Sequence, residues 1–583
     1  MGTISDKLMR IINTKEDIRQ ALISKGYDVP TSIPFKEYAK MILDLPCKVD
    51  SFPDIEGIVA RYSASGLTNE QMAANPVWVD KTGNGHDIQL KNFSWKGMSG
   101  VGGYEMNFNL WRNNVSSIPD ISMSTTTTSV SVSVGNSTYN NNLIYIHISN
   151  WDINKNHWLK VTSTYEDGDL AFIFYNDSNT KKIGLPANGY VNILAYPEFK
   201  GSYMYISTIS NKQGSFTIEQ LPLYPGALVF DGVDDYGTCD NFPILTKEKG
   251  YTVVVLRQWI EEKNDSTALV SNCKNWNQDG AFLFEYNNLR INFLNVAISF
   301  GHVSSVDRGK SPFSYQTSKL YNGKNIKPVS FIGSNELVVG KGNKDFPTVS
   351  NAAIWEIVIL DHDATEEELT KIKDYFVKTY PWLFPYQAWT VTGKTNEDED
   401  RATIANITGN GNNLVLSNFG FAEGSGYNEE GEYAGYLVTD GVDDKIISSI
   451  FKMGNDWTVI GDWELINTGK NDNAGIVKFD SIVIYNYNYN SMLINIKNGR
   501  NILIPDQNTV NAICSDGRIY SKDWKESIYN EETESTSKNF LTIGYSGNAY
   551  TKIAFKNLAI YPTVLSREDC IKAYNYLQTL KAK

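Results

Sequence analysis

Cysteine is scarce in this chain. There are five (Cys47, Cys239, Cys273, Cys514 and Cys570) in 583 residues, an odd number with no CxxC spacing. A disulfide-stapled scaffold and a zinc ribbon are therefore not expected. Positive charge is also in deficit: 53 Lys and Arg stand against 66 Asp and Glu, a net charge of −13. No basic face is left to neutralise phosphates, so neither nucleic acid nor anionic lipid is an expected partner. No run of ~20 apolar residues could cross a bilayer. The Met1 start lacks the charged n-region and apolar h-region of a secretory signal, so synthesis in a cytoplasm without membrane insertion is expected. The five histidines (His86, His147, His157, His302, His362) form no HxxH or HExxH set. No GxxxxGK[ST] is present, and the GKGNKD at Gly340 reads as a loop. No metal or other cofactor is expected.

What is abundant is β-forming and turn-forming residues: 34 tyrosines, 44 glycines and 12% aromatics within a 41% hydrophobic chain. These are arranged in a duplication. TGNGHDIQLKNF at Thr82 returns as TGNGNNLVLSNF at Thr408, and FDGVDDY at Phe230 as TDGVDDK at Thr439. AIWEIVILDHDATEEEL before and through Leu369 matches LAIYPTVLSREDC ending at Cys570. A repeat on this scale gives the domain plan directly: 51–385 and 386–583 are the two copies, joined by PWLFPYQAW (381–389).

Copy one is longer between its TGNG and DGVDD landmarks, with an insert at 111–223 that contains SVSVSV, LIYIHIS, LAFIFY and YMYISTI. Strict alternation of this kind marks half-buried antiparallel strands, and about 110 residues suits a separate β-sandwich grown inside a loop of its host. After the DGVDD landmark the copies run in step. TVVVL at Thr252 parallels WTVIGDW at Trp457, and hairpins are expected at Asn287–Asn288 and Asn498–Gly499. Each copy closes with a strand and a short helix. Thr365 and Ser566 are N-caps, with Glu368 and Asp569 three residues on.

The first 50 residues differ. Leu8, Ile11, Ile18 and Leu22 recur at three-to-four spacing and predict an amphipathic helix over 4–25, although Lys15 falls on the apolar seam. Gly26 ends it, and PFKEYAKMILDL from Pro34 predicts a second short helix. Two short helices cannot bury their own apolar surface. They are either a hairpin packed on the next domain or an adapter covered by copies of itself or by another protein, with Leu8, Ile11, Ile18 and Leu22 as the attachment or oligomerisation seam.

On these motifs both copies resemble the LamG-like jelly-roll modules of the concanavalin A-like lectin/glucanase superfamily. The resemblance rests on the FDGVDDY opening, the central hairpin and the closing strand and helix. The texture of ISDKLMRIINTKEDIRQALISKGYDVPTSIPFKEYAKMI is similar to the leader of many tailed-bacteriophage fibre and appendage proteins. Together they imply a mostly-β chain: two LamG-like jelly-roll sandwiches, one carrying an inserted sandwich, plus an α-helical N-terminal adapter (1–50). They imply a virion appendage on head or tail, a homotrimer attached to capsid or tail proteins through the adapter, displaying its sandwiches to host-surface glycans or a receptor. A decoration fibre without ligand, a polysaccharide depolymerase and a bacterial adhesin are the alternatives.

Catalysis is not expected. Retaining glycosidases place two carboxylates on one face to act as nucleophile and acid. Glu285, Glu356 and Glu464 each stand on apolar strands without a second carboxylate in register, and read as edge or loop-facing residues. The pairs Asp234/Asp235 and Asp443/Asp444 offer clustered oxygens, yet Asp and Gly at this spacing form a self-bonded turn. Exposed aromatics beside amides suit sugars, as in YNYNYN (485–490) and NWNQDG (275–280), while the same pattern also makes one packed and one wet strand face.

Overall fold

In the computed structural model, the alternating segments become antiparallel strands that stack as three two-sheet sandwiches. The structure describes Lys15 and most of 52–583. The longer stretches outside it are 114–120, 136–141, 148–156, 194–202, 262–266, 275–279, 286–310, 326–332, 467–474, 505–509 and 529–540, together with the side chains of 467–509. The chain divides into two compact units, Met1–Asp54 and Ile55–Lys583. Leu8, Ile11, Ile18 and Leu22, the helix from Pro34 and both predicted hairpin turns lie outside the described residues. Lys15 is helical.

The two copies share one topology. In copy one, Asn351–Leu360 pairs with Thr252–Glu261 on one side and with Ile58–Ser63 and Leu228–Asp231 on the other. In copy two, Ile553–Tyr561 pairs with Thr458–Leu465, and with Gln387–Thr390 and Leu437–Val438. These central strands read as continuous apolar runs because both faces are covered, by the opposing sheet and by the closing helix. Each fully buried Val, Ile or Leu there contributes about 1.5–3 kcal/mol. The caps form as the sequence indicates: Thr365 Oγ accepts from Glu368 N at 3.2 Å and Ser566 Oγ from Asp569 N at 3.1 Å.

The repeated motifs recur together because they touch. Asp80 and its counterpart Asn406 each accept from the TGNG threonine, Thr82 Oγ1 at 2.8 Å and Thr408 Oγ1 at 2.7 Å. Asn84 and Asn410 then tie the turn to the first strand, through the carbonyls of Val59 and Tyr386. Asn92 and Asn418, both at φ 69°, donate to the carbonyls of Asp234 and Asp443 at 3.0 Å, bracing the DGVDD turn.

The insert has its own core, from Phe108 and Trp111 to Phe216 and Ile218. It therefore begins a few residues before the boundary read from sequence, since Phe108 already packs inside it. In SVSVSV, Val130, Val132 and Val134 are all buried. The two ends of the insert meet at a neck, where Leu223 N and Tyr224 N donate to Gly103 O and Gly102 O at 2.9 and 2.8 Å. A Cβ on Gly102, at φ 85°, would lie 2.9 Å from Pro222 Cβ, so only glycine fits this crossing.

The segment 381–389 is structured. Pro381–Leu383 forms a 3₁₀ turn with Trp382 and Leu383 buried, and Tyr386 N donates to Ile560 O at 2.7 Å. The C-terminal helix Arg567–Gln578 is buried on most of its surface, Cys570, Ile571, Tyr574, Tyr576 and Leu577 included. One side packs on its own sandwich. The other meets the insert, where the Trp158 ring lies 5.3 Å from Tyr574 and 6.4 Å from Trp524, both edge-to-face. Arg567 sits 5.6 Å above the Tyr190 ring of the insert. Gln258 of copy one donates to Thr579 Oγ1 at 2.9 Å. This helix is a wedge that joins all three sandwiches.

Candidate functional site

Arginine in an apolar strand must find a partner, because an unpaired buried charge is prohibitively costly. Arg257 interrupts TVVVLRQWIE and is 2% exposed. Its guanidinium meets the fully buried Glu285, with Nη2 to Oε1 at 2.5 Å and Nε to Oε2 at 2.9 Å. The carboxylate also accepts from Trp259 Nε1 at 2.6 Å, Ser314 Oγ at 2.7 Å and Tyr321 OH at 2.9 Å. Burial alone would push Glu285 up, but Arg257 and these donors hold it below the ordinary carboxylate range. Burial raises the Tyr321 phenol, keeping it protonated as a donor. Glu285 takes this position in a left-handed backbone conformation, φ 53°, which is costly outside glycine and is stabilised here by its hydrogen bonds.

Above this pair lies a groove of about 340 Å³ between the strand Phe313–Thr317 and the helix Glu366–Thr379. Arg257 forms part of its wall. Phe313 and Tyr315 contribute rings, and Asn322, Glu366, Thr370 and Lys373 contribute hydrogen-bonding groups. The mixture of aromatic surface with a few fixed polar groups is what small-molecule sites use for affinity and orientation.

A second buried pair, Arg61 with Glu356 at 3.0 Å, lies where the same helix covers the sheet, with Tyr380 OH donating to Glu356 at 2.9 Å. Burial pushes the Glu356 carboxyl above its usual range even against Arg61. Glu285 and Glu356 are thus not edge or loop-facing residues, as read from the sequence, but the acidic halves of two buried ion pairs. Sequence held the signal in Arg61 and Arg257, each placed within an apolar strand. Glu464 is half-buried on the strand Thr458–Leu465.

The DGVDD carboxylates gather in both copies, with one oxygen each from Asp231, Asp234 and Asp235, and from Asp440, Asp443 and Asp444, within 4.8 Å of one another. Hydrogen bonds internal to the turn account for this. Asp235 Oδ2 accepts from Asp231 N at 3.1 Å, and Asp231 Oδ1 from Val233 N at 2.7 Å; copy two repeats both at 2.8 Å. Burial pushes Asp235 up to about 7 and Asp444 to about 6. The unfolded chain ionises such groups near pH ~4, whereas the folded protein retains the protons to pH 6–7. Their contribution to stability is therefore complete below about pH 4 and is lost as pH rises through 6–7. Thermal melting at pH 5 and pH 8 should show the native protein weakening with pH and Asp235→Asn weakening less. An equal slope in both would contradict the assignment.

The sugar-binding candidates at 275–279 and 489–490 lie outside the described residues, as do the side chains of 485–488.

No family model matches the chain, and no curated protein matches it. Among solved structures, a Trypanosoma rangeli sialidase in complex with sialic acid is 8% identical, with a TM-score of 0.26 over 79% of this chain and 85% of that one. The receptor-binding domain of botulinum neurotoxin type G is 11% identical, at a TM-score of 0.21 over 33% and 50%. The CBM22 tandem domain of Paenibacillus barcinonensis Xyn10C is 11% identical, at 0.14 over 46% and 98%. The expectation that the chain is no enzyme is corrected here: sialidases are among the matching structures, and the exclusion of catalysis is withdrawn. Likenesses this loose assign no activity or ligand to the chain.

Proposed function

We propose that this chain is a surface appendage of a bacteriophage virion whose β-sandwiches bind a glycan or glycan-bearing receptor on the host. The observation that carries the binding half is the groove beside Arg257, where ring surface and hydrogen-bonding groups converge on a floor made rigid by Glu285. The appendage half rests on the leader, with Leu8, Ile11, Ile18 and Leu22 as the seam that attaches it to capsid or tail proteins or joins three copies. Weak sites suit such a role. Trimerisation and many copies per particle multiply them, because the second contact forms at the high effective concentration set by the first.

A glycan array probed with the full chain tests this reading. Binding to a defined set of glycans is the expected result, weakened when the chain is truncated to 51–583 and avidity is lost. An array without signal above background would contradict it.

A further inference from the structure

The duplication compares the groove with its own counterpart. Thr252 and Thr458 donate to the carbonyls of His362 and Thr563, which places the two copies in register. Tyr315 then corresponds to Ala512, and Asn322 to Tyr520, since each pair holds the same cross-strand position. From the two N-caps, Glu366, Thr370 and Lys373 correspond to Arg567, Ile571 and Tyr574. In copy two this surface is occupied. The Trp158 indole of the insert packs edge-to-face on Tyr574 and Trp524, and Tyr190 lies under Arg567. The fold thus already seats a ring at this place, supplied by its own chain.

In copy one the equivalent surface is the groove, and its lining has changed character. At the positions where copy two carries Ile571, Tyr520 and the indole-contacting Tyr574, copy one carries Thr370, Asn322 and Lys373, with Tyr315 replacing Ala512 to supply a ring. Hydroxyl, ammonium and amide groups around an aromatic surface match a ring with apolar C–H faces and a polar rim. An indole would use none of these polar groups. Thr370 Oγ1 already donates to Glu366 O at 2.8 Å and Asn322 Nδ2 to Ser314 Oγ at 3.2 Å. The lone pairs of the hydroxyl, the second amide N–H and the Lys373 ammonium are what a sugar hydroxyl would engage. We infer that the copy-one groove is a pyranose seat, homologous to the seat that copy two uses for Trp158, with Tyr315 as the stacking ring and Asn322, Thr370 and Lys373 as the hydroxyl-reading groups. This deepens the glycan-binding reading and rests on it.

The test uses the full chain and four probes: the methyl glycosides of glucose, galactose, mannose and N-acetylglucosamine, observed by saturation-transfer NMR. Thr370→Ile with Lys373→Tyr converts the groove to the copy-two lining at two exposed helix positions, and Tyr315→Ala removes the ring. At least one probe should receive saturation from the native chain, with the signal falling by about fivefold or more in both variants while their melting temperatures stay near native. Equal transfer to native and variants would overturn this site and leave glycan binding to another surface. No transfer from any probe to a chain that binds the array would overturn the pyranose seat alone, and failure on both would overturn the glycan reading itself.

Discussion

Glu285→Ala is expected to destabilise the first sandwich by ~3–5 kcal/mol, the largest effect of any single substitution considered, because it strands a buried guanidinium. Arg257 would keep the Ser311 carbonyl and the neutral Tyr321 hydroxyl but no charge to balance its own, and Trp259, Ser314 and Tyr321 would each lose an acceptor. The double change Arg257→Met with Glu285→Leu should recover only the share due to the stranded guanidinium, since apolar residues of similar volume often replace a buried ion pair without penalty, while Trp259, Ser314 and Tyr321 still lack their acceptor. Urea denaturation of the three proteins separates the cases. A loss under about 1 kcal/mol in Glu285→Ala would show that the pair is not buried as described. The ion pair is then best understood as the floor of the groove. It contributes little net stability and holds Arg257 in place at the cost of left-handed strain at Glu285.

Trp158→Ala is expected to separate the insert from the wedge. Two edge-to-face ring contacts are worth ~0.5–1.5 kcal/mol each beyond the area they bury, so about 1–3 kcal/mol of coupling should disappear from the ring contacts alone, with the lost burial of the indole added to it. Among the described residues, the ties that remain are the Gly102–Gly103 neck and Arg567 over Tyr190. Calorimetry should show one broad transition in the native protein split into two in the variant, with faster proteolysis within 108–220. An unchanged single transition would mean that the sandwiches are coupled elsewhere.

How far the sequence reached depends on the kind of signal. Period-two alternation is local, so SVSVSV, LIYIHIS, LAFIFY and YMYISTI were all legible as strands, and the two N-caps were legible from Thr365 and Ser566 with their acidic partners. The unequal spacing of the repeat landmarks pointed to an insert, whereas Phe108, which packs in that segment's core, gave no signal because a single aromatic carries no period. The site was not legible. Glu285 and Arg257 are 28 residues apart and meet through the sheet, and a lone glutamate after an apolar strand looks the same whether it faces water or a guanidinium. Tyr574 and Trp158 belong to different sandwiches, so no local pattern relates them. Only the copy-to-copy register reveals that Lys373 stands where Tyr574 does.

A crystal structure of the full chain with the glycan that binds most strongly on the array would test the central claim most directly. A sugar ring is expected between Tyr315 and the helix Glu366–Thr379, hydrogen-bonded to Asn322, Thr370 or Lys373. A ring bound on any other surface, with this groove holding only solvent, would contradict it.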